Sequence, residues 1–458
     1  MNCILFRTGT VNKVFFIAFA IASVAWGRVQ LMTKDTTIDF VISSTGWLQS
    51  GQVVNGYCIG AQELHHQWEQ QSFLDLAVDA KISERIRIAA GIEGEMFINV
   101  PKGQASSQQY YIWKLNGGFT VDNAYGSYLW GDTASPFLSV TFGRFRYKYD
   151  SDVKNLGEYL FRSGTYPAYL INNFDLPFAR LTGFKISSDL FRKLHQDLML
   201  TFETDIPPFY DASLSYLADY DVGKFLNVGA GVEFARLIAV DDSQTTPKSP
   251  KTMYMDGGNT KYYTFKGIKL MGHMSFDIKP FLPGSESIFG KEDLKIYTEA
   301  AILGLQSYPA NDSANSLNGI KNNIWGYDSL MNKIPVLLGF NVPTFKLLDV
   351  LSIEAEWYGC PYPDNYDNEL GKGNDLGIPL PDHLNRVVSN TYPYEDNWKW
   401  SVYLKKMFMH DHFGVIFQCA RDHMRLKSLV DEAANGELEA SLEEKRMWWW
   451  MAKVVAQF

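Results

Sequence analysis

Apolar and polar residues alternate one by one through most of this chain. In residues 72–83, Leu74 and Leu76 occupy one parity, while acidic or small residues occupy the other. After a turn near Ser83, residues 86–93 repeat the pattern. A period of two residues is typical of a β-strand that has one apolar and one polar face. The sequence therefore predicts a chain built from amphipathic strands.

The same alternation recurs often enough for the strands to be counted. Besides this hairpin and the final residues, it covers residues 58–68, 119–130, 137–147, 179–189, 197–205, 212–219, 226–240, 261–279, 294–305, 333–342, 350–358, 398–409 and 413–425. Residues 36–47 are a further candidate strand. The pattern predicts about sixteen strands joined as consecutive antiparallel neighbours.

Long and short connections alternate between these strands. The long connections are residues 99–118, 148–178, 241–260, 306–332, 359–397 and 426–445, and the short ones lie near residues 83–84, 131–136, 190–196, 221–224, 343–349 and 410–412. Residues 280–293 are the one long connection in the short set. Because antiparallel neighbours alternate in direction, the long connections gather at one end of the sheet.

The final strand carries the most specific signal. Its residues of one parity are Trp448, Trp450, Ala452, Val454, Ala456 and Phe458. At about 3.3 Å per residue and a tilt near 40°, such a strand spans roughly 25 Å, the height of a membrane's apolar band. The strand resembles the C-terminal assembly signal of Gram-negative outer-membrane β-barrel proteins, with Trp448, Trp450, Val454 and Phe458 as the residues of the signal.

The resemblance implies an all-β fold: a transmembrane antiparallel up-and-down β-barrel of about 16 strands, with 18 as the alternative. It also implies short periplasmic turns, long extracellular loops and contact with outer-membrane lipid of a Gram-negative bacterium. In that family the periplasmic chaperones and the barrel-assembly machinery recognise the final strand. Bacterial members contain an even number of strands, so residues 36–47 either lie outside the wall or have an undetected partner.

The N-terminus has the pattern of a secretory signal peptide. Basic residues precede an apolar run over residues 14–25, and small residues follow it. We expect cleavage after Ala25 or Gly27. Residues 1–27 then form the removed signal peptide, and residues 28–458 form a single outer-membrane barrel domain.

Composition is consistent with an exported protein that has no spanning helix. After residue 25 no apolar run approaches the roughly 20 residues that a spanning helix needs. The chain contains 25 Tyr, 30 Phe and 12 Trp, as expected where aromatic rings lie at two membrane interfaces. Three cysteines, Cys58, Cys360 and Cys419, remain after the predicted cleavage. So few cysteines, and an odd number of them, indicate that a framework of disulfides does not hold this fold. Whether Cys58 and Cys360 pair is left open by the spacing.

The predicted inner face carries charges of both signs. The candidate pore-lining residues are Asp75, Asp79, Lys81, Arg87, Glu93, Glu95, Lys185, Asp197, Glu203, Glu233, Glu299, Glu354 and Glu356. Mixed charge with an acidic excess favours an aqueous pore for cations or neutral solutes. An interior closed by salt bridges or by an inserted loop is the alternative.

One long connection is aromatic and apolar where an exposed loop is normally polar. We expect residues 149–177 to fold into the barrel as a constriction or plug. The candidate residues are Glu158, Tyr159, Phe161, Arg162 and Tyr166, and Glu158 and Arg162 have the spacing of a helical ion pair. Packing against neighbouring loops or a partner chain is the alternative.

Signals for catalysis or cofactor binding are sparse. His273 and Ser275 form a His-x-Ser arrangement similar to that of outer-membrane phospholipase A. In that family the pair faces lipid, whereas the alternation here places His273 inside. We therefore expect no enzyme activity, and we find no phosphate loop, Cys-x-x-Cys pair or basic stripe that would indicate a cofactor, a metal or nucleic acid.

The resemblance and the charged inner face together favour porin-like passage or binding of small hydrophilic solutes. The competing hypothesis is a structural or adhesion barrel with a blocked lumen, whose outer loops bind surface polysaccharide or a partner protein.

Overall fold

The protein is an antiparallel β-sheet that closes on itself. The computed structural model describes residues 27–32, 37–55, 57–58, 66–100, 116–132, 135–161, 178–191, 193–204, 210–238, 253–256, 259–262, 267–307, 330–358, 398–421, 424–431, 436–441 and 448–458. The signal peptide predicted at residues 1–27 falls almost entirely outside these residues.

In chain order, the strands of the first half are β1 (Gly27–Met32), β2 (Thr37–Asn55), β3 (Tyr57–Cys58), β4 (Gln67–Lys81), β5 (Ile86–Val100), β6 (Asn116–Gly131), β7 (Pro136–Tyr147), β8 (Ala179–Phe191), β9 (Leu194–Phe202), β10 (Ala212–Val222) and β11 (Leu226–Ile238). Those of the second half are β12 (Met253–Asp256), β13 (Asn259–Tyr262), β14 (Gly267–Asp277), β15 (Lys295–Ser307), β16 (Pro335–Asn341), β17 (Val350–Tyr358), β18 (Trp398–Phe408), β19 (Phe413–Arg421), β20 (Met424–Asp431), β21 (Gly436–Ser441) and β22 (Trp448–Gln457).

Sixteen of these strands form the closed wall: β2, β4 to β11, β14 to β19 and β22. Each pairs with its neighbours in an antiparallel register, and the ring closes where β22 pairs with β2 along Thr45–Asn55. Backbone hydrogen bonds join Ser44 and Phe458 in both directions, at 2.9 and 2.8 Å. The predicted fold class, an up-and-down antiparallel barrel of sixteen strands, is confirmed.

The N-terminal strand assignment was wrong in one place. Residues 58–68 were counted as a wall strand, but Cys58 lies in β3, which pairs with β21 outside the ring. The wall strand at this position is β2, whose first part was the surplus candidate at residues 36–47. The strand β2 is 19 residues long because one of its edges pairs first with β1 and then with β22.

The two faces of the wall differ in polarity and exposure. On adjacent strands, Leu338 and Ile353 are 57% and 47% exposed, whereas Leu337 and Glu354 are 0% and 1% exposed. Exposed apolar residues of the outward parity occur around the ring and include Val78, Ile88, Phe142, Phe184, Leu198, Met274, Phe417 and Val454. The outer face is therefore apolar, and the buried inner face carries most of the charge.

Short turns gather at one end of the barrel. The turn between β4 and β5 is held by the Ser83 hydroxyl, which accepts hydrogen bonds from the backbone N–H groups of Arg85 and Ile86. The longest connection at this end runs between β14 and β15 and contains a short 3₁₀ turn, Lys279–Phe281, and the α-helix α1, Ser285–Ile288. A second 3₁₀ turn, Leu330–Lys333, precedes β16. Among the helices in the described part of the chain, none is long and apolar enough to cross a membrane.

Candidate functional site: a segment held inside the barrel

The first part of the connection after β7, residues 148–161, lies inside the barrel. Residues 148–161 contact the inner faces of β14 to β17 on the far side of the ring. Bonds to β15 and β17 join positions 140 to 200 residues apart, bonds to β14 join positions 109 to 123 apart, and β16 contributes apolar packing. We call residues 148–161 the inserted segment. The predicted plug residues Glu158, Tyr159 and Phe161 belong to it, whereas Arg162 and Tyr166 lie outside the described residues.

Glu354 on β17 binds the middle of the inserted segment. Its carboxylate accepts hydrogen bonds from the backbone N–H groups of Lys154, Asn155 and Leu156, at 2.6, 2.9 and 2.8 Å. The Tyr297 hydroxyl on β15 donates a fourth bond at 2.8 Å. Three successive N–H groups that converge on a carboxylate make a concave anion-binding nest, and here a wall residue supplies the anion.

Tyr297 reaches Glu354 across the intervening strand β16, at a glycine. Gly339 is the register partner of both residues, and a Cβ added there would overlap the Tyr297 ring. The glycine is therefore needed for the bond between β15 and β17, because any side chain would occupy the space of the ring.

Glu299 on β15 binds the end of the inserted segment. It accepts hydrogen bonds from the backbone N–H groups of Glu158 and Tyr159, at 2.6 and 2.9 Å, and from the Tyr149 hydroxyl at 2.5 Å. Glu158 adopts a positive φ of 60°, a conformation that costs a non-glycine residue free energy. Its carboxylate accepts the Asp150 N–H at 2.9 Å, and the Tyr159 hydroxyl donates to Glu356 at 2.7 Å.

Apolar packing completes the attachment of the segment. Val153, Leu156, Tyr159 and Leu160 have no exposed surface, and they pack in one cluster with residues of the wall. The wall residues of this cluster are Phe145, Tyr147, Met199, Leu217, Ala235, Met271, Tyr297, Ala301, Leu303, Leu337 and Tyr358. This side of the lumen is thus a packed core, and the inserted segment is fixed as firmly as a part of the wall.

Two aspartates at the start of the inserted segment face β14 and β15. Asp152 forms an ion pair with Lys295 at 2.8 Å and accepts a hydrogen bond from the Ser275 hydroxyl. Burial acts to raise the pKa of Asp152, but the Lys295 ammonium and the Ser275 hydroxyl outweigh it and hold the pKa below its usual range. Burial raises the pKa of the Asp150 carboxyl, and the nearby His273 opposes that rise.

An arginine network lies on another part of the inner wall. Arg146 at the end of β7 contacts Asp75 on β4 and Asp122 on β6, both at 2.5 Å. Arg180 on β8 contacts Glu93 on β5 at 2.6 Å and Asp122 at 3.2 Å. Asp75, Asp122 and Glu93 are buried beside these guanidinium groups, whereas the Arg146 side chain is 32% exposed and the Arg180 side chain 13%. The Arg146 guanidinium also lies over the Phe178 ring, at 4.6 Å.

The structure places the other predicted pore-lining residues in smaller groups. Tyr147, Ser187 and His195 bind Asp197, Arg236 lies 3.6 Å from Glu203, and Lys269 lies 3.5 Å from Glu233. The Lys185 ammonium lies over the rings of Phe145 and Tyr147, at 5.8 and 5.4 Å. Asp79, Lys81 and Arg87 share the inward parity near the short-turn end, and for Glu95 only the strand register is described.

Several residues of the site were missed in the sequence. Asp122 and Asn123 are consecutive, yet both are buried, because the register between β5 and β6 shifts at Gly91 and Ile92. Strict alternation would have placed one of the two outside. Arg146 and Arg180 are register partners, and their parity is opposite to that of the inward Phe145, so strict alternation assigns both arginines to the outer face.

The side chains of His273 and Ser275 are not arranged as a catalytic pair. The Ser275 hydroxyl donates to Asp152, and the His273 Nε2 lies 2.6 Å from Asp219. The serine and the histidine therefore each bind a carboxylate, and neither activates the other. Among the described residues, no group of three or more His, Cys, Asp or Glu side chains is placed to hold a metal ion.

The predicted assembly-signal residues lie at the closing seam. Trp450 contacts the rings of Trp68 and Phe417, and Val454 is 50% exposed on the outer face. Phe458 packs against the rings of His412 and Phe413 at the short-turn end. Recognition of these residues by assembly factors stays a prediction.

Comparison with known proteins found similarity at the level of solved structures. No protein-family model matches the chain, and no curated protein sequence matches it. A double mutant of the porin of Rhodopseudomonas blastica aligns over 92% of this chain and 100% of its own, with 7% sequence identity and a TM-score of 0.42. A triple mutant of the same porin aligns over the same shares, with 8% identity and a TM-score of 0.41. Similarity this low carries no argument about this chain, whose fold is established by its own strand pairing.

Proposed function

We propose that the protein is an integral outer-membrane channel through which small hydrophilic solutes pass, with the inserted segment narrowing the passage. The observation that carries this proposal is the combination of a closed sixteen-stranded ring, an apolar outer face and a charged inner face. Barrels of sixteen to eighteen strands are wide enough to contain an aqueous channel. An apolar exterior matches lipid, and a charged interior matches water.

The inserted segment and the arginine network give the proposed passage two different sides. Glu299 and Glu354 fix the segment by bonds to its backbone, so they project no free charge towards a solute. Arg146 and Arg180 each cover two carboxylates on the wall. A hydrophilic solute would therefore meet the attached segment on one side and guanidinium groups on the other.

A blocked barrel with a surface-binding function is the second candidate. The apolar cluster around Leu156 and Tyr159 favours it, because a fully packed core excludes water from that part of the lumen. In this case the long connections would bind surface polysaccharide or a partner protein. The predicted export by a signal peptide and insertion by the barrel-assembly machinery are common to both candidates.

Single-channel conductance of the refolded mature protein in planar lipid bilayers tests the proposal. The comparison uses a double variant, Glu299→Gln with Glu354→Gln, which weakens the attachment of the segment without shortening the chain. We expect stable conductance from the intact protein and larger, noisier conductance from the variant. Silence from the intact protein with conductance from the variant would favour the blocked barrel, and silence from both, with correctly folded barrels, would overturn the channel.

A further inference from the structure

His273 lies between the wall and the start of the inserted segment. Its Nε2 is 2.6 Å from Asp219 Oδ1 on β10, and its Nδ1 is 3.8 Å from Asp150 Oδ2 on the inserted segment. The side chains of His273 and Asp150 are almost completely buried. Among the described residues, neither His273 Nδ1 nor Asp150 Oδ2 has a hydrogen-bond partner. The two unpaired buried atoms face each other.

The position of His273 is built into the strand register. Asp219 on β10, Gly229 on β11 and His273 on β14 are consecutive partners across the sheet. A Cβ added at Gly229 would overlap both the His273 ring and the Asp219 carboxylate. The glycine thus allows the imidazole to reach Asp219 across a whole strand while its other nitrogen points to the inserted segment.

Negative charge dominates the surroundings of His273. The ionisable groups around it are Asp219 on β10, Glu299 and Lys295 on β15, and Lys148, Tyr149, Asp150, Asp152 and Glu158 on the inserted segment. Its register partner on β11 is Gly229. Lys295 is paired with Asp152. An imidazolium at this place would therefore face carboxylates of both the wall and the inserted segment.

We propose that His273 is a positioning residue whose proton controls the inserted segment. As an imidazolium it donates from Nε2 to Asp219, and its positive charge forms an ion pair with Asp150 across the 3.8 Å from Nδ1, which ties the segment to the wall. Neutral imidazole has one N–H group; if Nε2 keeps the proton for Asp219, Nδ1 turns a lone pair towards the Asp150 carboxylate. Rising pH therefore loosens the beginning of the segment, while Glu299 and Glu354 continue to hold the rest.

A cavity lies next along both elements that carry this contact. It has a volume of about 390 Å³ and is lined in part by Asp152, Ser275 and Lys295. Asp152 and Ser275 are each two residues from the proposed pair, whose own side chains do not line the cavity. This proposal depends on the proposed function in one respect: the segment that His273 holds is the constriction of the proposed channel.

The test measures conductance fluctuations of the refolded protein in planar bilayers between about pH 6 and about pH 9. We expect the frequency of fluctuations to rise about tenfold with pH in the intact protein, because the released state gains population. His273→Gln and Asp150→Asn should fluctuate frequently at every pH. His410→Gln, which changes an exposed histidine in the turn between β18 and β19, should behave as the intact protein does. An unchanged pH profile in His273→Gln would overturn the proposal.

A second measurement separates this proposal from the channel itself. Nitrogen NMR of histidine-labelled protein in detergent micelles reports the protonation of His273, whose signal is assigned by its loss in His273→Gln. We expect both ring nitrogens to carry protons at neutral pH, and one to lose its proton in Asp150→Asn. A neutral ring at pH 6 in the intact protein would refute the ion pair between His273 and Asp150, even if the barrel conducts. If the barrel does not conduct, the NMR measurement still reports whether His273 is protonated.

Discussion

The two sides of the inner wall use buried carboxylates in opposite ways. Glu299 and Glu354 bind backbone N–H groups of the inserted segment and have neutral partners. Asp75, Glu93 and Asp122 bind the guanidinium groups of two arginines. The first arrangement fixes a piece of main chain, and the second keeps cations at the surface. The same residue type therefore serves attachment on one side and charge placement on the other.

The largest effect is expected where a carboxylate holds main chain. In Glu354→Gln the new amide group can supply donors where three N–H donors already converge, so we expect a loss of about 3 kcal/mol in the free energy of unfolding. Urea unfolding in detergent micelles, followed by tryptophan fluorescence, measures it. Asp79→Asn is the control, an exposed inward carboxylate for which about 0.5 kcal/mol or less is expected. Equal losses of unfolding free energy in Glu354→Gln and Asp79→Asn would show that the attachment carboxylate stabilises the fold no more than an exposed one does.

A glycine substitution tests the same attachment without changing charge. Gly339→Ala puts a methyl group into the Tyr297 ring, so the ring must move away from Glu354, and we expect a loss of about 1–3 kcal/mol. Gly126→Ala is the matched control, because nothing lies within 4 Å of the added Cβ there. The same unfolding assay applies, and a neutral Gly339→Ala would contradict the role of this gap.

The arginine side should affect selectivity more than stability. Arg146→Gln removes one positive charge from the proposed passage, so the permeability ratio of cations to anions should rise roughly fivefold, as about 1 kcal/mol per unit charge implies. Reversal potentials in a salt gradient measure this ratio, and the effect should shrink at high salt. Lys406→Gln, which changes a residue paired with Asp349 at the short-turn end, is expected to leave the ratio unchanged.

The smallest effect concerns Asp152. The pKa of this carboxyl is lowered in the folded protein, so its contribution to stability is present above its unfolded pKa and is lost as the pH falls through the folded value. Asp152→Asn should therefore lower the free energy of unfolding by about 1 kcal/mol or less at pH 7, and by nothing once acid has protonated Asp152. A difference that persists in strong acid would indicate a steric effect of the amide.

The architecture was predictable because its signal is local and repeated. A period of two residues identifies a strand within a few residues. In the final strand, the apolar residues of one parity also indicate which face points outward. The first wall strand was misplaced because β2 contains Gly46 and Gly51, which interrupt its pattern, whereas residues 58–68 imitate a strand.

The sequence predicted charged residues on the inner face, but it did not predict which groups they bind. The sequence placed Glu299 and Glu354 on the inner face, but their partners are backbone groups 140 to 200 positions away, and no local pattern encodes such a distance. Asp122 was hidden by a bulge, since an extra residue in one strand breaks the parity on which the prediction depends.

The seam between β2 and β22 has a consequence for biogenesis. The first and last wall strands complete each other's hydrogen bonding, and the closing contacts of Phe458 join the end of the chain to Ser44. Until β22 has been synthesised and delivered, every shorter intermediate exposes two unpaired strand edges, which are templates for aggregation. Sealing is therefore a single late event, and the sheet stays open at both edges until it occurs.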